Sequence, residues 1–209
     1  TAATIVSFFL GIWAARKVLK AKTGLRAVLD GILTLPLVLP PTVAGFFLLY
    51  VFGVKRPVGQ FFLEYFSVKI AFSWGATVLA AVVMSFPLMY RSARGAFEQV
   101  DDTLVQAART LGMGEWTIFR KVLLANAVPG VVSGGVLAFA RGLGEFGATA
   151  MIAGNIAGKT RTLPMAVYSE VAAGNMEAAY SYVAIIVVIA FLSVFLMNGA
   201  MWYSQKKSR

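Results

Sequence analysis

The sequence predicts an all-α membrane protein, a polytopic helical bundle with five spans, and three observations carry that expectation. Hydrophobic residues make up 59% of the chain and charged residues only 13%, with a mean hydropathy of +0.77, which is more apolar matter than a soluble domain can cover. The apolar residues are gathered into runs. A membrane helix needs about 20 consecutive, mostly apolar residues; residues 28–52, 70–90, 127–153 and 181–203 meet that length, and a shorter run opens the chain over 1–15. Lysine and arginine, finally, concentrate in alternate connections between the runs, as they do in cytoplasmic loops.

The first run is followed by Arg16, Lys17, Lys20, Lys22 and Arg26. A secretory signal peptide places its basic residues before the apolar stretch, so this order is that of a stop-transfer segment. The run starts already apolar and without Met, and reads as a truncated helix; one more helix before Thr1 would make six spans with both ends inside. The second run carries a single charge, Asp30, and three prolines, Pro36, Pro40 and Pro41. Proline removes a backbone donor, so this span must kink or unwind, and freed carbonyls at membrane depth are tolerated where they face protein or a watery path. A bend that only improves packing is the other use, here and at Pro87 in the uncharged third run.

The fourth run holds Arg141 and Glu145, spaced i,i+4 near the middle of the predicted span and so on one helix face. Placing Arg at a membrane centre costs roughly 2.5–3.5 kcal/mol on insertion scales, so Arg141 should face the bundle interior and have a partner. Gly130, Gly134, Gly135, Gly142, Gly144 and Gly147 lie along this run, and residues this small let helices approach closely. The outer connection 154–180 contains a short amphipathic helix over 162–173, ended by Gly174 and Asn175. Trp74, Tyr90, Trp202 and Tyr203 stand near span ends, as interfacial aromatics do.

A net charge of +10 would suit nucleic acid, but its distribution suits a membrane. Five cations fall in residues 16–27, five in 91–126 (Arg91, Arg94, Arg109, Arg120, Lys121) and three in 204–209, against Lys55, Arg56, Lys69, Lys159 and Arg161 in the other two connections. That split puts the first set and the tail in the cytoplasm and Thr1 outside. With no cysteine and no histidine, disulfides, thiol chemistry, zinc–thiolate sites and imidazole catalysis are excluded. Residues 154–160 look like a phosphate-binding loop, but the glycine required six positions before Lys159 is Ala153, and the segment lies in an outer connection.

The inner segment 91–126 is the most informative. Phe97, Val100, Leu104, Ala107, Ala108 and Leu111 recur at three- and four-residue steps and predict one helical stripe. Gly112 and Gly114 end it, and Trp116, Phe119, Val122 and Leu123 resume the pattern on a second helix. Helix, glycine turn and helix make a projecting knuckle, which either packs on its own bundle or docks a cytoplasmic partner.

Gln106, Ala107, Ala108, Arg109, Thr110, Leu111 and Gly112, followed by Val122 and Leu124, resemble the EAA loop of ABC-importer membrane permeases: Glu-Ala-Ala, three residues, Gly, nine residues, Ile, any residue, Leu, Pro. Gln106 replaces the Glu, Val122 the Ile and Ala125 the Pro, with Pro129 matching a second proline. Residues 34–45 and 139–149, continued by 153–160, are similar to the permeases for molybdate, tungstate and sulfate, molybdate and tungstate matching better. The resemblance implies a type I ABC-importer permease fold and a single permease domain over 1–209, with 91–126 as its coupling loop. It implies ATPase coupling through Gln106 to Gly114, Met113 included, and a translocation path beside Pro40, Pro41, Arg141, Glu145 and Thr149.

It further implies a second permease copy, two cytoplasmic ATPase subunits that hold the ATP and Mg, an external oxyanion-binding protein, and a multi-pass place in a prokaryotic inner membrane. This chain would then bind no cofactor or metal of its own and would not itself be an enzyme; membrane lipid would surround it and nucleic acid would not be a partner. At this point Arg141 and Glu145 read as a structural ion pair or as a guanidinium fork offered to a tetrahedral oxyanion. Two other classes stand beside the importer: a secondary transporter or channel without ATPases, which would show paired repeats and mid-membrane relay residues, and a membrane-embedded assembly subunit.

Overall fold

The computed structural model describes the backbone of residues 2–207 and side-chain surroundings through residue 196. Its elements are helical throughout the described residues. Helix α1 spans Ala2–Leu19, α2 Thr23–Val38, α3 Pro41–Phe52, α4 Pro57–Phe66 and α5 Trp74–Glu98; α6 follows over Asp102–Thr110. Helix α7, Glu115–Ile118, runs through one wide π turn, Phe119–Leu123, into α8, Leu124–Leu143; α9 (Gly147–Ala153), α10 (Leu163–Ala172) and α11 (Met176–Lys207) follow. Among the described residues four stretches, Ala2–Leu19, Trp74–Glu98, Glu115–Leu143 and Met176–Leu196, are long and apolar enough to cross a membrane, and α2 with α3, bent by 111° at their break, reaches that length and hydropathy only as a pair.

Helix α5 is the centre of the bundle. Ser7 Oγ on α1 lies 2.8 Å from Ser85 Oγ, and Gly11, one turn on, seats against Met89 and Tyr90, so α1 runs parallel to α5. Helix α8 runs antiparallel: a Cβ on Gly130 would meet the Ala96 Cβ at 2.6 Å, and one on Gly134 would meet the Ser92 Cβ at the same distance. Those two glycines serve close packing, and Gly135 lies on the ring of Phe8. The core between them is filled by Met89, Tyr90, Ala93, Val131 and Ala138, all buried. A smaller cluster, Ala76, Ala80, Met84, Ala148 and Ile152, joins α5 to α9 at the end away from the basic residues.

Several elements differ from the sequence expectation. The opening run is not short: α1 extends through Arg16 and Lys17 to Leu19, and its 18 residues give a length of about 27 Å. Helix α5 continues past Tyr90 to Glu98, into the inner segment expected to lie beyond the span, because Arg94 and Glu98 find partners on α2. Arg94 pairs with Asp30, Arg26 with Glu98, and the Tyr90 hydroxyl donates to Asp30. Charges thus mark the level of the membrane boundary without ending the helix. The expected stripe from Phe97 to Leu111 is split, Phe97 belonging to α5 and Leu104 to Leu111 to α6 and its cap. Helix α4 lies where the sequence predicts only a connection. The outer helix α10 falls where expected, within 162–173, and Gly174 follows it with φ +77°. Trp74 and Tyr90 differ in exposure, 64% for Trp74 and fully buried for Tyr90, so only Trp74 is placed as an interfacial aromatic; the side chains of Trp202 and Tyr203 lie outside the described residues.

Candidate functional site

Two regions gather the residues singled out by the sequence, one at the basic end of the bundle and one within it. At the basic end Asp101 caps α6, its Oδ1 accepting from Thr103 N at 2.8 Å, and the hydrogen bonds from Thr103 hold its carboxyl below the usual carboxylate range. Helix α6 ends in a glycine turn: Gly112 has φ +73°, Gly112 N donates to Arg109 O at 2.9 Å and Met113 N to Ala108 O at 3.1 Å. That pair of bonds satisfies the last carbonyls of the helix and needs a left-handed residue, which glycine supplies without a Cβ clash. Helix α7 then starts after Gly114.

The knuckle so formed turns its motif outward. Gln106, Ala107, Arg109, Thr110, Leu111, Gly112 and Gly114 are exposed, Met113 is half-buried, and Ala108 alone of the nine is buried. Leu111 is 80% exposed and Leu104 47%, which leaves apolar surface uncovered on a polar end of the molecule. The knuckle is fastened to α1 by groups that sequence reasoning missed. Glu115 accepts from Arg109 Nε at 2.9 Å and from Lys20 Nζ at 3.0 Å, and the Arg16 guanidinium lies 4.2 Å from the ring centre of Phe119 and 4.8 Å from that of Trp116. Lys20 and Glu115 are 95 residues apart, and no local pattern links them.

The second region is where two broken helices meet. Helix α2 stops at Val38, Leu39 and Pro40 are extended, and Pro41 opens α3 as its first residue, the position where a missing N–H costs nothing. The expected span 127–153 is broken too. Helix α8 ends at Leu143, Gly144 to Phe146 are not helical, and α9 starts at Gly147, so Arg141 lies in the last turn of α8 and Glu145 lies between helices. This corrects the placement of both residues on one face in mid-span. Glu145 bridges that break. Its Oε1 accepts from Ala148 N at 2.7 Å while its Oε2 accepts from Arg141 at 2.7 Å, so one carboxylate holds the end of α8 and starts the next helix.

The two breaks touch. A Cβ on Gly147 would lie 2.9 Å from Pro41 Cβ and 3.2 Å from Thr42 N, and one on Gly45 would lie 2.6 Å from Ala148 Cα; both glycines are required by this approach of α3 to α9. Glu145 is 2% exposed and Thr149 1%, whereas the Arg141 side chain retains 26%. Glu145 and Thr149 line a cavity of 290 Å³ with Trp74, Thr77 and Thr162, and Thr162 Oγ1 is buried there with no hydrogen-bond partner. Pro40, Pro41, Arg141, Glu145 and Thr149 therefore fall on one junction of broken helices, an arrangement that places ion and substrate sites in transporters.

Over residues 7–209 the chain matches the family model described as binding-protein-dependent transport system inner membrane component. The chain belongs to this family of ABC-importer permeases. Membership sets aside the secondary transporter and the assembly subunit. The permease is 44% identical over 207 residues to the molybdenum transport system permease protein ModB of Escherichia coli, covering 99% of this chain and 90% of that protein. It is 35% identical over 173 residues to the sulfate transport system permease protein CysT of Salmonella typhimurium, covering 83% and 62%. In fold it is similar to a chain of the MetNI methionine ABC transporter solved in inward-facing conformations, with TM-score 0.73, 19% identity, and coverage of 97% of the permease and 91% of that chain.

Proposed function

We propose that this permease subunit forms the path of an ATP-driven importer for molybdate or tungstate, two copies making the path and the knuckle receiving the ATPases. The observation that carries the reading is the 44% identity to a molybdenum permease across nearly the whole chain, above the 35% shared with the sulfate permease. The glycine turn at Gly112 and the exposed Leu104 and Leu111 support docking: a rigid element that leaves leucines in water gains by burying them in a partner. The two ATPase subunits would hold ATP and Mg, an external protein would deliver the oxyanion, and the basic end with the chain's tail would face the cytoplasm of a prokaryotic cell.

The mechanism follows from how the parts are tied. Closure of the ATPases on ATP displaces the knuckles; Glu115 and Arg16 pass that displacement to α1, and the π turn passes it along α8 towards Gly144. The junction of breaks is where the bundle can yield, because neither α2–α3 nor α8–α9 is continuous there. Hydroxyls at Thr149 and Thr162, both lining the cavity, offer donors to a tetrahedral dianion. They are few and uncrowded, so the cargo is held weakly and released. The test is uptake of labelled molybdate by the complete assembly in proteoliposomes with its binding protein. Uptake should need ATP, and tungstate should compete at lower concentration than sulfate. Stronger competition by sulfate would assign the sulfate reading, and uptake without ATPase subunits would remove the importer reading altogether.

A further inference from the structure

We propose that α4 is a membrane-surface helix, lying with its aromatic face in the acyl–headgroup boundary of the lipid leaflet at the end of the molecule opposite the knuckle. The segment reads in sequence as part of an aqueous connection, yet Pro57–Phe66 is a helix of 10 residues. At about 15 Å it is half the length a span requires. Gly59 presses its backbone against the end of α3, a Cβ there falling 2.1 Å from Gly53 O, so the helix is held where the second span ends. Ser67 closes it in a left-handed turn, with Val68 N donating to Phe62 O at 3.1 Å, and Phe72 N then ties the chain to Ile152 O at 3.0 Å.

The helix has two unlike faces. Val58, Phe61 and Tyr65 share one side at i, i+3 and i+7; their exposures are 38, 50 and 74%, and the rings of Phe61 and Tyr65 lie 4.9 Å apart. Gln60 and Glu64, at i and i+4, occupy another. Cations stand at both ends, Lys55 and Arg56 before the helix and Lys69 after it, and two are held at the level of aromatic rings: Arg56 over Tyr50 at 4.1 Å and Lys69 over Phe72 at 5.9 Å. Three cations against the single acid Glu64 suit lipid phosphates, and exposed aromatics beside them suit the acyl boundary below. The occupant of this face is lipid rather than protein because the exposed apolar rings are flanked at both ends of one short helix by phosphate-seeking cations. Helix α3, which leads into it, already exposes Phe46, Phe47 and Tyr50.

The chain contains no cysteine, so single spin labels can be placed without background on Phe61→Cys, Tyr65→Cys and Gln60→Cys. In the assembled transporter in nanodiscs of phosphatidylethanolamine and phosphatidylglycerol, collision with oxygen, which partitions into lipid, is compared with collision with a water-soluble nickel chelate. Labels at 61 and 65 should favour oxygen and the label at 60 the chelate. Labels at 61 and 65 that favour the chelate would place the face in water, and labels there shielded from both would place it against a second copy or an external protein. Either result overturns the proposal.

Discussion

Changing Glu145 tests whether a single carboxylate organises the junction of broken helices. Glu145→Ala removes two interactions, the 2.7 Å bond to Arg141 and the 2.7 Å cap on Ala148 N. Loss of one partner from a buried ion pair costs about 3–5 kcal/mol, but the Arg141 side chain keeps 26% of its surface and is partly screened by its surroundings, which lowers that figure to about 2 kcal/mol. Loss of the cap adds about 1 kcal/mol. Glu145→Gln keeps an oxygen for Ala148 N and loses only the charge, so the two variants should differ by about 1 kcal/mol, roughly fivefold in an equilibrium. Arg141→Met alone leaves the Glu145 carboxylate buried without its counter-charge and should be as damaging as Glu145→Ala. The double variant Arg141→Met with Glu145→Gln removes both charges and retains the cap. It should return close to the original in yield of assembled transporter and in retention of assembly on heating, measured by fluorescence-detected size exclusion, with Glu145→Ala lowest beside Arg141→Met and Glu145→Gln between. A double variant that assembles worse than either of its single changes would refute the account of Glu145 as a structural organiser. Flux through the double variant answers a separate question: near-normal molybdate uptake is expected, and a well-assembled double that hydrolyses ATP but imports poorly would assign Arg141 to the path.

Gly112→Val forces a β-branched residue into a φ of +73°, a strain of about 1–2 kcal/mol. The expected result is ATP hydrolysis that continues while uptake per ATP falls, with the spans still inserted, and unimpaired uptake would count against the knuckle as the coupling element. Orientation can be read in intact cells with a membrane-impermeant thiol reagent. A cysteine at Lys159, exposed in the connection after α9, should react, and one at Lys121, exposed on the π turn, should react only after the cells are opened; the opposite pattern would invert the topology and detach the docking surface from the cytoplasm.

The sequence alone determined the class of this protein, the runs long enough to span and several of the places where the chain turns, because each depends on residues within a few positions of one another. Apolar runs of membrane length, cations in alternate connections, the glycine turn at Gly112, the end of α10 at Gly174 and the break at Pro40 and Pro41 are all local effects of length, charge and backbone freedom. The tertiary structure decided what those pieces do together. Glu145 reads in sequence as the i+4 partner of Arg141 on one helix, and the pairing is there, yet the helix has ended at Gly144 before it, and the same carboxylate also accepts from the backbone N–H of Ala148 on the next helix. The contact of Pro41 with Gly147 joins residues more than 100 positions apart, as Glu115 joins Lys20, and such meetings are set by how helices pack around α5 and by nothing near either residue in the chain. Helix α4 was illegible for a related reason: its apolar residues are too few to span, and only the Gly59 seat on the end of α3 shows that they form a helix held against the bundle.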